Sequence, residues 1–192
     1  MTLDLTDVAN ALTARPTMDD RHWMASSLTD LCAYIVEQHH TYTKRELPRL
    51  AALAAKVHLR HGHMYPELHQ ICECIEALNA EIGDHMLKEE EVLFPRLKAL
   101  EDAAQSGIAP RPAFFGSMLN PVHHMMSDHS ETVELLHSIR ALTRDYRLPE
   151  SACLSYQELY QGLSDLEKDL HQHIHLEDKL LFPRALEIEE SC

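Results

Sequence analysis

Apolar residues return in steps of three and four along four long stretches of the chain, the spacing that lines one face of an α-helix. The first stretch starts after Ser26 or Ser27, either able to cap a helix, and runs through Leu28, Leu31, Ile35 and Val36 toward Leu47. Pro48 is expected to kink it, with Leu50, Leu53, Ala54 and Val57 continuing to a stop at His61 and Gly62. The second follows Pro66, with Ile71, Ile75, Leu78, Ile82 and Val92 in line. The third carries Val122, Met125, Met126, Val133, Leu136 and Ile139, and the fourth Leu159, Leu163, Leu166, Leu170 and Leu180. Glu101 to Pro121, holding Gly107, Pro110, Pro112 and Gly116, reads as the longest connection, and Pro149 marks the last turn. The pattern predicts an all-α, up-down four-helix bundle.

Polar residues interrupt those stripes at mid-length. His85 and Glu89 replace apolar residues in the second, His129 in the third, and His173 and Glu177 in the fourth. An unpaired carboxylate buried there would cost several kcal/mol, so something in the core must compensate. The interruptions are also a repeat. His85 to Arg96 and His173 to Arg184 are both HxxxE elements ending in Phe-Pro-Arg, 88 residues apart. Residues i and i+4 lie on one helical face, so each element aims one imidazole and one carboxylate at a common point. A further histidine precedes each at nearly equal distance: His40 is 45 residues before His85, and His129 is 44 before His173. Two hairpins of one design place these groups at one level, which predicts a di-metal site in the bundle core.

Four imidazoles and two carboxylates suit a pair of non-haem irons, the carboxylates bridging and each iron taking two imidazoles. One zinc would leave ligands idle, calcium or magnesium would demand mostly oxygen donors, and four nitrogens favour iron over manganese. In the first stretch, His39 continues Leu28, Leu31 or Cys32 and Ile35, whereas His40 continues Ala33 and Val36; helical spacing leans to His39, and the residues alone leave the two open. His61 lies about 30 Å further along the helix and belongs at the hairpin tip. His171 and His175 fall on other faces than His173. The histidines at 58, 61, 63, 123 and 124 are read as solvated or capping groups near helix ends.

Composition narrows the partners. Seventeen basic against thirty-one acidic residues give a formal charge of -14, which repels phosphate backbones and anionic lipid; neither nucleic acid nor membrane is an expected partner. The 192 residues contain no apolar run of membrane-spanning length, and the first residues, with Asp4 and Asp7, make no secretory signal, so a cytoplasmic location is expected. Five cysteines without a CxxC pair predict neither a disulfide framework nor a zinc ribbon. Residues 1–22 read as a short N-terminal extension, with a short helix over Val8 to Leu12, and residues 23–190 as the bundle.

Several strings are specific: His39-His40 through Pro48, Lys56-Val57 with His61-Gly62, His85 through Pro95, Asp128-His129, and His173 through Pro183. Together they resemble the RIC (repair of iron centres) family of hemerythrin-like di-iron proteins, over about residues 23 to 187. The resemblance implies an oxo- or hydroxo-bridged pair of iron ions held by His40, His85, Glu89, His129, His173 and Glu177, and it selects His40 over His39. It further implies a role in nitrosative and oxidative stress: helping to restore apo or damaged iron-sulfur proteins, with iron donation as the expected means. Alternatives are nitric oxide binding or reduction to nitrous oxide at the reduced centre, and hemerythrin-type dioxygen binding or sensing. Dioxygen carriers of this kind use five histidines, one more than here. Many family members begin with a small domain carrying a Cys-Cys pair, and residues 1–22 hold no cysteine. The bundle is therefore expected to act alone or with a separate partner.

Overall fold

The computed structural model describes residues 18–107 and 116–191. The short helix expected over Val8 to Leu12, and part of the long connection, lie outside the described residues. Among the described residues there is no strand, and no helix is long and apolar enough to cross a membrane.

A short helix, α1 (Met18–Ala25), leads into the first rod. That rod is α2 (Leu28–Tyr34), a wider π-turn over Ile35–His40, and α3 (Thr41–His61). Ser27 is its cap: the Asp30 amide donates to Ser27 Oγ at 2.9 Å. Pro48 sits inside α3 without ending it. The second rod is α4 (Glu67–Lys88), a π-turn over Glu89–Leu93, and α5 (Phe94–Ser106), stopped by Gly107 in the left-handed region at φ 66°. The third is α6 (Leu119–Leu142). The fourth is α7 (Leu154–His175), a π-turn over Leu176–Leu181, and α8 (Phe182–Ser191). The first rod packs on the second and fourth, and the second on the third, giving the up-down bundle that the four apolar stripes predict.

The apolar core is in two parts. One fills the hairpin-tip half with residues such as Leu50, Ile75, Ile139 and Leu166; the other fills the opposite half with Leu28, Ile35, Leu97, Val122 and Phe182. Along every rod, the polar interruptions fall between these two parts.

Four details differ from the periodicity. Val92 is 41% exposed and Leu93 is 3% exposed, because a π-turn winds less per residue and moves the next contact by one position. On α6, Thr132 is buried where Val133 was expected, and Met126 points out, 38% exposed. The helix also runs on past Glu101, which was expected in the connection. Glu101 is buried and closes the N-terminus of α2, accepting from the Leu28 amide at 2.7 Å, the Thr29 amide at 3.0 Å and the Thr29 hydroxyl at 2.8 Å.

Candidate metal centre

The three π-turns all border the polar layer. The one in the first rod decides between the neighbouring histidines. From Leu28, Leu31 and Ile35 an α-helical step reaches residue 39; the extra residue in the turn moves the inward position to His40. His40 Nε2 stands 3.2 Å from His173 Nε2. His39 is also buried but faces elsewhere, its Nδ1 3.0 Å from Asp169 Oδ1.

His40, His85, Glu89, His129, His173 and Glu177 converge in one enclosed layer, with both carboxylates at 0% exposure. They form two overlapping groups: His40, Glu89, His173 and Glu177 in one, and His85, Glu89, His129 and Glu177 in the other. Within each group the ligand atoms lie inside 4.8 Å of one another. Ligands about 2 Å from a shared ion stand roughly 3 to 4 Å apart, so each group matches the shell of one cation. His85 Nε2 and His129 Nε2 are 3.1 Å apart, mirroring the His40 and His173 pair.

The carboxylates belong to both groups. Glu89 Oε2 is 3.4 Å from His40 Nε2 and 3.3 Å from His85 Nε2. Glu177 reaches His173 Nε2 with Oε1 at 2.9 Å and His129 Nε2 with Oε2 at 3.0 Å. Neither Glu89 oxygen receives a hydrogen bond, although both are fully buried. Two orphaned anionic oxygens in a dry core need a cation, and the imidazoles around them supply the remaining donors. The donor set and the orphaned carboxylate therefore fit a pair of metal ions.

A further ring of residues orients the imidazoles. His40 Nδ1 donates to Glu90 Oε1 at 2.7 Å, and His129 Nδ1 donates to Asp178 Oδ1 at 2.8 Å. A carboxylate can only accept, so the proton sits on Nδ1 and Nε2 is left free for a metal. Lys44 Nζ completes Glu90 at 2.6 and 2.7 Å. Burial works against it, yet Lys44 and His40 hold the Glu90 carboxyl below its usual range. His85 Nδ1 has Asp128 Oδ2 at 3.5 Å. Phe94 stacks on His40 at 5.8 Å and Phe182 on His129 at 6.0 Å, which gives the two Phe-Pro-Arg elements a common task.

The field in the metal-free pocket follows from these contacts. Burial pushes the His129 imidazole down, but Asp178 and Glu177 outweigh it and lift its pKa to about 10. His40 and His85 are likewise raised by the neighbouring carboxylates against the effect of burial. Burial would raise Glu177, but His173 and His129 hold it well below the usual carboxylate range. Protons and cations compete for the same atoms.

The other histidines stand apart. His61 Nε2 contacts Cys153 Sγ at 3.2 Å near the hairpin tip, His175 Nε2 contacts Asp20 Oδ1 at 2.9 Å, and His171, His123 and His124 are exposed. Glu90 and Asp178 are the functional neighbours that ligand spacing does not reveal. For both the signal is in the repeat itself, since Glu90 follows Glu89 as Asp178 follows Glu177.

Residues 32–185 match the family described as the Hemerythrin HHE cation binding domain. The chain belongs to this family. Among its relatives is the "Iron-sulfur cluster repair protein YtfE" of Edwardsiella ictaluri, 34% identical over 186 residues, covering 96% of this chain and 78% of the relative. The YtfE of Yersinia pseudotuberculosis is 32% identical over 164 residues, 85% of this chain and 68% of its own. A "Probable iron-sulfur cluster repair protein" of Haemophilus influenzae is 30% identical over 188 residues, 96% of this chain and 78% of its own. These likenesses place the chain in the RIC branch of the hemerythrin-like proteins, as its motifs imply.

Proposed function

We propose that this protein holds two irons between its four rods and supports the repair of damaged iron-sulfur proteins by giving up iron to them. The observation that carries the reading is Glu89: a fully buried carboxylate with neither oxygen hydrogen-bonded, reached by imidazoles from two different rods. His40 and His173 would hold one iron and His85 and His129 the other, with Glu89 and Glu177 common to both groups. The relatives' printed names supply the repair role.

Bound iron supplies a redox-active, Lewis-acidic pair. The protein's own residues set how firmly it is held. Carboxylates shift between bridging and terminal modes more readily than thiolates release a metal, so a Glu89 and Glu177 bridge suits a donor. Glu90 and Asp178 hold the His40 and His129 imidazoles in the orientation that a bound metal would need. Acceptors are apo or damaged iron-sulfur proteins.

A second reading is nitric oxide binding or reduction to nitrous oxide at the reduced pair; a cavity of about 410 Å³ between the second and third rods, lined by Val92, Leu93, Pro121 and Met125 with Lys88, Asn120 and His124, has room for a small neutral gas. Hemerythrin-type dioxygen binding is a third reading of the same pair. One anaerobic experiment separates the readings: labelled iron followed into apo-ferredoxin while nitrous oxide is measured. Iron transfer without gas supports the donor; gas in proportion to protein without transfer replaces it with the reductase. Metal analysis showing no iron in well-folded protein would remove both.

A further inference from the structure

His39 is buried, contributes nothing to the cage, and lies flat against one of its members. Its ring is parallel to that of His173 within 12° at 5.8 Å. Tyr34 meets His39 edge-on at 5.7 Å, and Trp23 lies 4.4 Å from Tyr34. Trp23 and Tyr34 are only half-buried. Four rings thus form a continuous file from the surface to a group facing the metal pair.

Aromatic residues often cluster to fill a core, so the symmetry of the repeat is the useful control. His40 corresponds to His129, which makes Asp128 the counterpart of His39. Phe94 and Phe182 do recur in both halves, as packing residues should. Among the described residues the file through His39 occurs in one half only, and it uses the chain's single tryptophan. It is also held in place. His39 Nδ1 is tied to Asp169 at 3.0 Å, and Arg184 clamps the Trp23 and Ser26 carbonyls at 2.8 and 2.6 Å.

We infer that Trp23, Tyr34 and His39 form a relay that carries oxidising equivalents from the metal pair to the protein surface. This rests on the proposed role of His173 as a ligand. Tyrosine and tryptophan give up an electron only to a strong oxidant, so the relay runs when a hydroperoxide reacts at the centre, not during ordinary reduction. Hydrogen peroxide reduced to two waters withdraws two electrons. Each is replaced from Tyr34, through His39 and His173, as the Tyr34 phenolic proton leaves to solvent. Trp23 then returns an electron to Tyr34, which takes a proton back from solvent, and a small thiol at the surface refills Trp23. Per peroxide, two thiols give two electrons and two protons and join as one disulfide, which balances the two waters formed. The relay would spare the buried ligands from oxidation.

The test uses the iron-loaded protein mixed with hydrogen peroxide without thiol, freeze-quenched for electron paramagnetic resonance and digested for mass spectrometry. Wild type is expected to show an aromatic radical and oxidation products concentrated at Trp23. Tyr34→Phe and His39→Leu should each lose most of the Trp23 products while keeping their iron and helical content, and Tyr65→Phe, at the far hairpin tip, should keep them. Unchanged Trp23 oxidation in Tyr34→Phe, or radicals spread evenly over the other tyrosines, overturns the relay and leaves the metal centre standing. Folded wild-type protein that retains no iron overturns both.

Discussion

Glu90 and Asp178 occupy equivalent places: each follows a buried cage glutamate, and each takes the Nδ1 proton of a histidine from another rod, His40 at 2.7 Å and His129 at 2.8 Å. The glutamate before each turns inward to the metal layer. The π-turns beginning at Glu89 and Leu176 let two successive acidic residues serve two different imidazoles of one cage. The pair explains why an acidic residue follows each HxxxE element.

Replacing these supports should loosen the metal without unfolding the bundle. Glu90→Gln and Asp178→Asn are each expected to lower metal affinity by roughly 10- to 100-fold, the usual cost of losing a hydrogen-bond partner to a ligand imidazole. Competition against a chelator measures this directly. Both side chains are partly exposed, at 25% and 18%, so denaturation midpoints of the metal-free variants should stay close to wild type. Equal loss of affinity and stability would mean that these residues hold the helices rather than the ligands.

Much of this was legible in the sequence, for a physical reason. His85, Glu89, His173 and Glu177 announced themselves because ionisable groups on an apolar stripe are expensive, and two copies at one spacing are not a coincidence of packing. The rods followed from the stripes. What periodicity missed depends on departures from 3.6 residues per turn: His40 against His39, and Leu93 against Val92, each displaced by a π-turn. Resemblance selected His40 where spacing left it open. Glu101 was missed for a different reason. Its partners, Leu28 and Thr29, are more than seventy residues away, and no local pattern encodes a cap supplied from another rod.

Gly162 sits where the fourth rod packs tightly on the first. A Cβ there would stand 2.6 Å from Leu50 Cδ2 and 2.9 Å from Arg49 Nη2. The arginine end can swing away, but Leu50 is fully buried. Alanine would gain about 0.5–1 kcal/mol in helix propensity, while overpacking costs about 1–3 kcal/mol. Gly162→Ala is therefore expected to destabilise the protein by about 1 kcal/mol, read from urea denaturation. A more stable variant would show that Leu50 can repack at no cost.

Alkaline stability should be governed by tyrosines far from the metal layer. Burial raises Tyr156 and Tyr160, whose hydroxyls are 3.2 Å apart, and burial with the nearby Glu167 carboxylate raises Tyr146. Folding thus favours the neutral phenols. Their contribution is fully present below the unfolded value near pH 10 and is lost as the pH rises above it toward the folded values. Phenolate absorbance from these three should appear together with the loss of helical circular dichroism. Their early ionisation in folded protein would contradict the packing at the tip.

Glu101 offers the last check, because it tests whether α2 depends on a carboxylate from another rod. Its two oxygens satisfy the Leu28 amide, the Thr29 amide and the Thr29 hydroxyl. These amides begin a helix and have no partners within it, so Glu101→Ala strands buried donors at a cost of about 2–3 kcal/mol. Glu101→Gln keeps one acceptor oxygen but turns an amide toward another donor, and should lose about half as much. Iron content should be the same in both variants, since His40 is held by Glu90 at the far end of the π-turn. Urea denaturation with metal analysis on the same samples decides it: lost iron at unchanged stability would mean that Glu101 acts on the centre, whereas lost stability at full occupancy makes it the clasp that closes the first rod.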